Sequence, residues 1–563
     1  MGVSTSLYSG LSGLVAHQRR MDIIGNNIAN VNTTGFRSSR VLFRTAFSQT
    51  LSIGTAPTGA LGGINPLQVG LGTTVGSTTT NFGQGSIETT GVPSDLAISG
   101  NGFFVITDGT GRPYYTRDGA FTLGADQILT NSKGMQIQGW MADNNFNVSP
   151  SGATNEIAIP IGSLRLARAT QNVNLTGNLN AAGDAATMGS LLDTQALVDT
   201  STGLAATAAT LLTNLTDGGG IPFFAAGNVI TLNATKGGRD VPSDTFTVAA
   251  GSTLGGASPA TSLAAWIEAA LGINTSAGVS GTPGVTINAV TGAIDISGNY
   301  GEANNISNLA ISSNGAVSTP FTVSQIQAAD GESGYTPFTV YDSLGTEIGV
   351  NMSFVLESKS SSGNIWRWYA ESPDDSDASR AVGTGTVMFD TDGGFQLDSG
   401  DMITIDRANI GAGNPLSISA NLEQITQLAS AVSEVALTLQ DGAPEGTLNE
   451  YAIGGNGIVT GIFTNGLVAN LAQIALATFA NNQGLYSTGD NLYSPGPNAG
   501  TPQIGAPGSF SSGTLVSGAL EQSNVDLANE FVNLIVTQTG YTANSRVIST
   551  SNDMLTELLN TIR

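Results

Sequence analysis

The chain has 563 residues and a net charge of −24 at pH 7, lacks cysteine and contains a single histidine. The absence of cysteine excludes disulfides and thiolate metal sites, and the acidity argues against nucleic acid or an anionic membrane as a partner. The length allows three or four domains, and 74 glycines with only 11% charged residues are typical of β-structure joined by turns.

The N-terminal segment predicts a helix from about Thr5 to Asn30. Apolar residues recur there at heptad spacing, at Leu7, Leu14, Met21 and Ile28, with Leu11 at an intervening position. The stretch from Asn30 to Gly35 ends the helix, because Asn and Gly tolerate the left-handed conformation found at helix C-termini.

Short strands and turns dominate the middle of the chain and predict nested, discontinuous β-domains. We assign 34–85 and 506–519 to a connector, 86–160 and 418–505 to a middle β-domain, 161–184 and 333–417 to an outer β-domain, and 185–332 to an inserted outermost domain. The inserted segment contains one clear amphipathic helix, for which Ser258 is the predicted cap and Gly272 the predicted end.

The C-terminal segment predicts a second long helix, from Leu520 to Arg563. Its apolar heptad positions are Leu520, Leu527, Leu534, Tyr541, Ile548, Leu555 and Ile562, and the positions four residues further on are Phe531 and Leu559 together with polar Asn524, Gln538, Ser545 and Asn552. Because a stripe this narrow cannot stabilise an isolated helix, both terminal helices need partners. The polar positions, with Gln18 of the first helix, suggest a weak seam that permits axial shear between copies.

The two ends of the chain carry opposite charge. Residues 1–50 contain five arginines and one aspartate, whereas residues 520–563 contain five acidic residues and two arginines. We therefore expect the terminal segments, 1–33 and 520–563, to form one helical coiled-coil domain. The predicted fold is multidomain and mainly β, with α-helical ends.

The sequence predicts no catalytic, cofactor or metal site. His17 lies within the first helix and is interpreted as a packing or solvated residue. Two acidic groups are interpreted as a hairpin turn and a solvated loop: Asp390, Asp392 and Asp401, and Asp374, Asp375 and Asp377. We thus expect a protein that is not an enzyme. No apolar run approaches the roughly 18 residues of a membrane span, and the N-terminus lacks the pattern of a cleaved signal peptide.

Two segments near the chain ends carry a specific resemblance. The segment from Gly25 to Arg37 contains Asn26, Asn27, Ile28, Ala29, Asn30, Asn32, Thr33, Gly35 and Phe36, and it resembles the N-terminal signature of the axial proteins of the bacterial flagellum. The segment from Gly518 to Leu527 resembles the C-terminal signature of the same family. Interior segments at 338–345 and 477–485 favour the hook proteins within it, and the resemblance covers about 1–180 and 333–563.

The resemblance implies a structural subunit whose copies stack helically into a curved, flexible tube. Such a tube acts as a universal joint that transmits torque from rod to filament and encloses the export channel, with the terminal helices packed together in its inner wall. The implied partners are further copies of the chain, the distal rod protein, the hook cap protein, the hook–filament junction protein and the type III export apparatus. The implied location is extracellular, and the alternatives are a distal rod or other axial protein, or a secreted adhesin or surface-layer protein.

Overall fold

The computed structural model describes residues 2–59, 61–275 and 282–561. The N-terminal part forms helix α1 (Gly2–Ala29) and strands β1 (Ser39–Thr45), β2 (Ser48–Ser52), β3 (Leu67–Gly70), β4 (Thr73–Thr80), β5 (Ile87–Thr89), β6 (Leu96–Ser99), β7 (Phe103–Thr107), β8 (Pro113–Thr116), β9 (Thr122–Leu123), β10 (Leu129–Thr130), β11 (Gln136–Met141) and β12 (Asn155–Glu156). The predicted assembly residue Ile562 lies outside the described residues.

The middle of the chain is almost entirely β-structure. It forms β13 (Arg165–Arg168), β14 (Asn172–Asn180), β15 (Gly189–Thr194), β16 (Val198–Asp199), β17 (Leu204–Ala205), β18 (Leu215–Thr216), β19 (Val229–Lys236), β20 (Arg239–Thr247), helix α2 (Leu263–Ala270), β21 (Gly284–Ile287), β22 (Ile294–Tyr300), β23 (Ile306–Ser313), β24 (Val323–Gln327), β25 (Ser333–Tyr341), β26 (Glu347–Ser360), β27 (Gly363–Glu371), β28 (Ala381–Phe389), β29 (Phe395–Ser399), β30 (Met402–Ile405), β31 (Leu416–Leu428), β32 (Glu434–Gln440) and β33 (Ala443–Ile453).

The C-terminal part returns to the first strands and ends in a long helix. It forms β34 (Ile458–Phe463), β35 (Val468–Ile474), β36 (Leu476–Thr478), β37 (Leu485–Gly489), β38 (Leu492–Pro495), β39 (Gln503–Gly505), β40 (Thr514–Ser517), β41 (Ala519–Glu521) and helix α3 (Leu527–Thr561). The chain divides into two compact units, Met1–Arg165 with Thr447–Arg563, and Leu166–Gly446.

The β-domain of the first unit is built from both ends of the chain. Strand β7 pairs with β36, β8 with β38 and β11 with β35, all antiparallel. Alternate side chains of these strands meet in a buried aromatic cluster that contains Phe103, Tyr115 and Tyr493. Strands that are hundreds of residues apart therefore complete a single core.

A two-stranded ribbon follows α1 and occupies most of the predicted connector. Strand β1 pairs with β4, and β2 pairs with β3, both antiparallel. In the part of the ribbon that contains β2 and β3, most apolar side chains are exposed, among them Phe47, Ile53 and Leu61. Since an isolated hairpin is marginally stable in water, this ribbon needs a covering surface.

Two large cores lie in the described part of the second unit. The five strands from β25 to β29 form one sheet, and β30, β31, β14 and β32 form another. Side chains from both sheets share one core around Trp366 and Trp368. A separate core around Trp266, Ile230 and Ile294 belongs to the inserted segment.

Several boundaries differ from the sequence predictions. The outer β-domain does not end at residue 417, because β31 and β32 flank β14 in one sheet. Helix α2 begins at Leu263, where Ser262 rather than Ser258 accepts the Ala265 N–H. Part of the segment 506–519 is not a connector, because β40 pairs with β6.

The predicted start of the C-terminal helix at Leu520 is wrong. Leu520 lies in β41 and is paired with Glu88 of β5, so strand pairing overrides the heptad pattern there. Helix α3 begins at Leu527, and the carboxylate of Asp526 accepts the Asn529 N–H at 3.2 Å as its N-cap. The seven residues from Leu520 to Asp526 therefore belong to a strand and a linker.

Candidate assembly interface

The terminal helices lie antiparallel against each other. Asn27 Nδ2 near the end of α1 donates to Glu530 Oε1 near the start of α3, at 3.1 Å. At the opposite end of the pair, Gly10 of α1 lies beside Ile548 of α3. This antiparallel register decides which side chains share the interface.

Small residues let the two helices approach closely. A Cβ atom at Gly13 would lie 2.5 Å from Asn544 Oδ1, and one at Gly540 would lie 2.6 Å from Cε1 of His17. Neither position has room for a side chain unless its neighbour moves, so glycine at these sites sets both the spacing and the register of the helices. The heptad repeat of apolar residues did not predict that these positions lie in the contact.

The predicted assembly residues of α3 fall into two groups. Four are half-buried, namely Leu534, Tyr541, Ile548 and Leu555, and three are exposed, namely Leu527, Phe531 at 51% and Leu559 at 66%. The fully buried residues of α3 are Thr537 and Ser551, three residues after Leu534 and Ile548. The contact between α1 and α3 of one chain thus uses the positions three residues after the heptad repeat, and Leu527, Phe531 and Leu559 do not take part in it.

The predicted residues of α1 also divide between faces. Leu7, Leu14, Met21 and Ile28 are half-buried, whereas Leu11 is exposed. The buried residues of α1 are Gly10, Gly13, Ala16, Ile24 and Asn27. Sequence reasoning missed this set because three of its members are too small or too polar to register as an apolar repeat.

The polar residues of the seam differ from those predicted. Gln18, Gln538, Ser545 and Asn552 are exposed. Asn524 precedes α3, where its Oδ1 accepts the Ser38 N–H at 2.8 Å and its Nδ2 donates to Asn81 O at 2.8 Å. These four exposed residues therefore lie outside the contact between α1 and α3 of one chain, and the axial shear between copies stays a prediction.

The opposite charges of the two ends meet outside the helices. Within the described residues of α1 and α3, Arg20 Nη2 donates to the amide oxygen of Asn533 at 3.1 Å rather than to a carboxylate. The ion pair between the ends joins Arg37 Nη2 to Glu521 Oε1 at 2.7 Å, with both side chains buried. Charge complementarity thus acts at the junction beside the helices.

His17 is a packing residue between α1, α3 and the ribbon. Its ring centroid lies 5.7 Å from that of Phe43 in an edge-to-face arrangement. Its Nδ1 is buried without a hydrogen-bond partner, and burial, together with the charge of Arg20, lowers the pKa of the imidazole. The neutral ring is therefore favoured at this site.

The N-terminal signature residues end α1 and turn the chain back along it. Asn30 Nδ2 donates to Asn26 Oδ1 at 2.7 Å, and Thr33 Oγ1 donates to Asn30 Oδ1 at 3.1 Å. The side chain of Asn27 forms two hydrogen bonds with the backbone of Ser39, one through each amide atom. These bonds hold the turn against the end of α1 and tie α1 to the start of β1.

The rest of the signature joins the turn to the β-domain. Gly35 has φ +68°, and a Cβ atom there would lie 2.7 Å from the backbone nitrogen of Asp118. Both the backbone conformation and the lack of space therefore require glycine at this position. Ile28 and Phe36 are half-buried, whereas Ala29 and Asn32 are exposed.

An apolar groove lies on the face of α1 next to the ribbon. Its volume is about 630 Å³, and its lining comprises Tyr8, Leu11, Ser12, Val15, Ala16, Arg19, Asp22 and Ile23 of α1, and Val41, Thr73, Thr74, Val75 and Thr78. Leu11 therefore lines this groove rather than the seam with α3.

Helix α3 presents an apolar stripe on the side away from α1. Its exposed members are Phe531, Val532, Ile535 and Val536. Leu527, Met554, Leu558 and Leu559 are exposed as well but lie elsewhere on the helix, and Val547 lies beside Gly10 of α1. A cluster of exposed apolar side chains of this size is typical of a contact with another protein surface.

The described part of the chain contains no group of three or more His, Cys, Asp or Glu that could hold a metal ion. None of the described helices is long and apolar enough to cross a membrane.

Family models match four parts of the chain. They are described as "Flagella basal body rod protein" at residues 7–37, "Flagellar hook protein FlgE/F/G D1 domain" at 97–181, "Flagellar basal body protein FlaE D2 domain" at 308–443 and "Flagellar basal body rod FlgEFG protein C-terminal" at 516–561. The first and last of these cover the two terminal signatures.

Full-length relatives agree with these matches. The chain is 31% identical to a flagellar hook protein FlgE of Borreliella burgdorferi and 30% identical to that of Treponema pallidum, in each case over 98% of both chains. It is 27% identical to the FlgE of Salmonella typhimurium over 99% of both. A crystal structure of Helicobacter pylori flagellar hook protein FlgE2 aligns with 77% of this chain and 100% of its own, at 17% identity and a TM-score of 0.38.

Proposed function

Because the chain belongs to the flagellar hook protein family and is therefore a structural subunit of the hook, we propose that its terminal helices polymerise it into the wall of a curved, flexible tube. In this proposal the tube transmits motor torque from rod to filament and encloses the export channel. The subunit has no catalytic role.

The observation that carries the proposal is the pairing of an open groove with an unpartnered stripe. The groove lies on α1, and the stripe lies on α3 of the same chain, facing away from α1. In a helical array each copy can receive the α3 stripe of one neighbour in its groove and offer its own stripe to another. Because such a head-to-tail contact does not close into a ring, it repeats from copy to copy and produces a helical tube.

The magnitudes favour a polymer over an isolated dimer. Phe531, Val532, Ile535 and Val536 are between 51% and 61% exposed, so burial of their exposed parts contributes on the order of 5 kcal/mol. Association costs about 4–15 kcal/mol in lost freedom, so a single contact is marginal. A copy that uses both its groove and its stripe gains two contacts, and the exposed ribbon can add a third.

We extend the proposal to location and partners. The subunit leaves the cell unfolded through the flagellar type III export apparatus and assembles outside the cell. Its partners are the distal rod protein below, the hook cap protein during growth and the hook–filament junction protein above. The full-length similarity to hook proteins supports this placement.

Complementation tests the proposal. A strain whose gene for this chain is deleted should lack hooks in electron micrographs and should recover them when the wild-type gene is returned. Tyr8→Asp, which places a charge at the groove, should not restore them. Recovery of hooks with Tyr8→Asp at wild-type number would contradict the role of the groove.

A further inference from the structure

Three segments of the first unit meet at one buried carboxylate. Glu521 lies in β41, six residues before α3, and is 1% exposed. Its Oε1 accepts from Arg37 Nη2 of the N-terminal signature at 2.7 Å, and its Oε2 accepts from Arg117 Nη1 of the β-domain at 3.1 Å. We call Arg37, Arg117 and Glu521 the buried triad.

Backbone groups form further hydrogen bonds with the residues of the triad. The Gly85 N–H donates to Glu521 Oε1, and the Gly35 N–H donates to the carbonyl oxygen of Glu521, each at 2.8 Å. Arg117 Nη2 donates to Gly100 O at 2.7 Å, and its guanidinium lies 5.5 Å from the ring centroid of Phe103. The carboxylate is thus held from several directions, which fixes where β41 leaves the β-domain.

We infer that Glu521 is a positioning residue, which sets how the N-terminal segment and α3 emerge from the β-domain and thereby aligns the assembly surfaces. Removal of the carboxylate charge leaves two buried arginines facing each other without compensation. The β-domain keeps its aromatic core, which is built from other residues, but the two ends lose their common anchor. The inference deepens the proposed function and rests on it for the assembly readout.

The two arginines use their donors differently. Arg37 makes its ion pair through Nη2, while its Nε and Nη1 are buried without a hydrogen-bond partner. Arg117 uses Nη1 for Glu521 and Nη2 for Gly100. A lysine ammonium can replace the single contact of Arg37 but cannot reproduce the fork of Arg117. The triad therefore predicts that lysine is tolerated at position 37 and not at position 117.

The experiment compares Glu521→Gln, Arg37→Lys, Arg37→Met and Arg117→Lys with Glu88→Gln as the matched control. Glu88 is an exposed glutamate in β5, the strand that pairs with β41, so its substitution removes the same charge without touching the triad. Hooks per cell are counted by electron microscopy in the deletion strain. Each purified full-length chain that keeps Arg or Lys at position 37 is also digested briefly with trypsin, and cleavage after position 37 is compared with cleavage after exposed Arg40 by mass spectrometry.

The expected pattern is specific. Glu521→Gln, Arg37→Met and Arg117→Lys should reduce hook number by about tenfold or more, while Arg37→Lys and Glu88→Gln should resemble wild type. In the purified wild-type chain, cleavage after Arg37 should be slower than after Arg40, and Glu521→Gln should remove that difference.

Two results would overturn the inference. One is a normal hook number with Glu521→Gln. The other is equal tolerance of lysine at positions 37 and 117, which decides the matter even if Glu521→Gln fails to fold. The proposed function fails separately, if the wild-type gene does not restore hooks while trypsin still shows Arg37 to be protected.

Discussion

Gly540 of α3 faces His17 of α1 so closely that a methyl group at position 540 would lie 2.6 Å from Cε1 of the imidazole. The two residues stand at the centre of the antiparallel pair, and the ring is also held by Phe43. The closeness of the terminal helices is therefore encoded by a missing side chain rather than by an apolar one.

The first prediction concerns this contact. Alanine raises intrinsic helix stability over glycine by roughly 1 kcal/mol, but at position 540 the methyl group must displace His17. We expect Gly540→Ala to lower the thermal midpoint of the helical signal at 222 nm.

A matched control is available in α1. Gly25 is exposed and has no heavy atom within 4 Å of a built Cβ. Gly25→Ala should therefore stabilise the helix by about 1 kcal/mol. If both substitutions stabilise equally, the close contact between α1 and α3 is absent.

The second prediction is a dependence of stability on pH through His17. Its pKa in the folded chain lies below the ordinary value of 6.5, because burial and Arg20 disfavour the charged ring. The unfolded chain therefore binds the proton more readily, and stability should fall as the pH drops below 6.5 towards the lowered pKa. Urea unfolding at pH 8 and pH 5.5 should show a larger loss for wild type than for His17→Gln, and equal losses would refute the role of the ring.

The third prediction separates contacts within one chain from contacts between chains. Leu534 is half-buried and lies on the α3 face that includes Glu530 and Thr537, whereas its neighbour Ile535 is 61% exposed. Leu534→Asp should lower the stability of the helix pair in the purified chain. Ile535→Asp should leave that stability unchanged and still block polymerisation, as measured by sedimentation of assembled hooks. Normal assembly of Ile535→Asp would show that the stripe is not a contact surface.

The fourth prediction concerns the inserted domain. Lys236 in β19 is buried, donates to Leu271 O at 3.0 Å and forms an ion pair with Glu371 of β27. Glu371→Gln leaves the ammonium without its counter-charge and should cost about 3 kcal/mol. The measurement is chemical unfolding, with exposed Glu347→Gln as the control. A loss no larger than that of the control would show that this ion pair does not anchor the inserted domain.

The sequence predicted the helical ends and the mainly β interior because long apolar repeats and turn residues are local signals. The period-seven spacing of Leu534, Tyr541 and Ile548 placed one row of the interface, since a repeat identifies a face whether or not its partner is known. The pairing of strands that are distant in the sequence was harder to predict. Leu520 continued the heptad repeat but lies in a strand, because its partner, Glu88, is more than 400 residues away.

The remaining interface residues could not be inferred from hydrophobicity. Gly13, Thr537 and Gly540 face the partner helix or are buried because they are small, and smallness alone gives no period. The buried triad was missed for another reason. Arg37 and Glu521 each lie inside a signature segment, but nothing local indicates that two charged residues at opposite ends of the chain are buried together.

Electron cryomicroscopy of hooks assembled from the purified chain tests the central claim most directly. The account predicts that α1 and α3 form the inner wall of the tube, with Ile535 of one copy seated in the groove between Tyr8 and Val75 of its neighbour. A map in which the groove is empty and the α3 stripe faces solvent would contradict it.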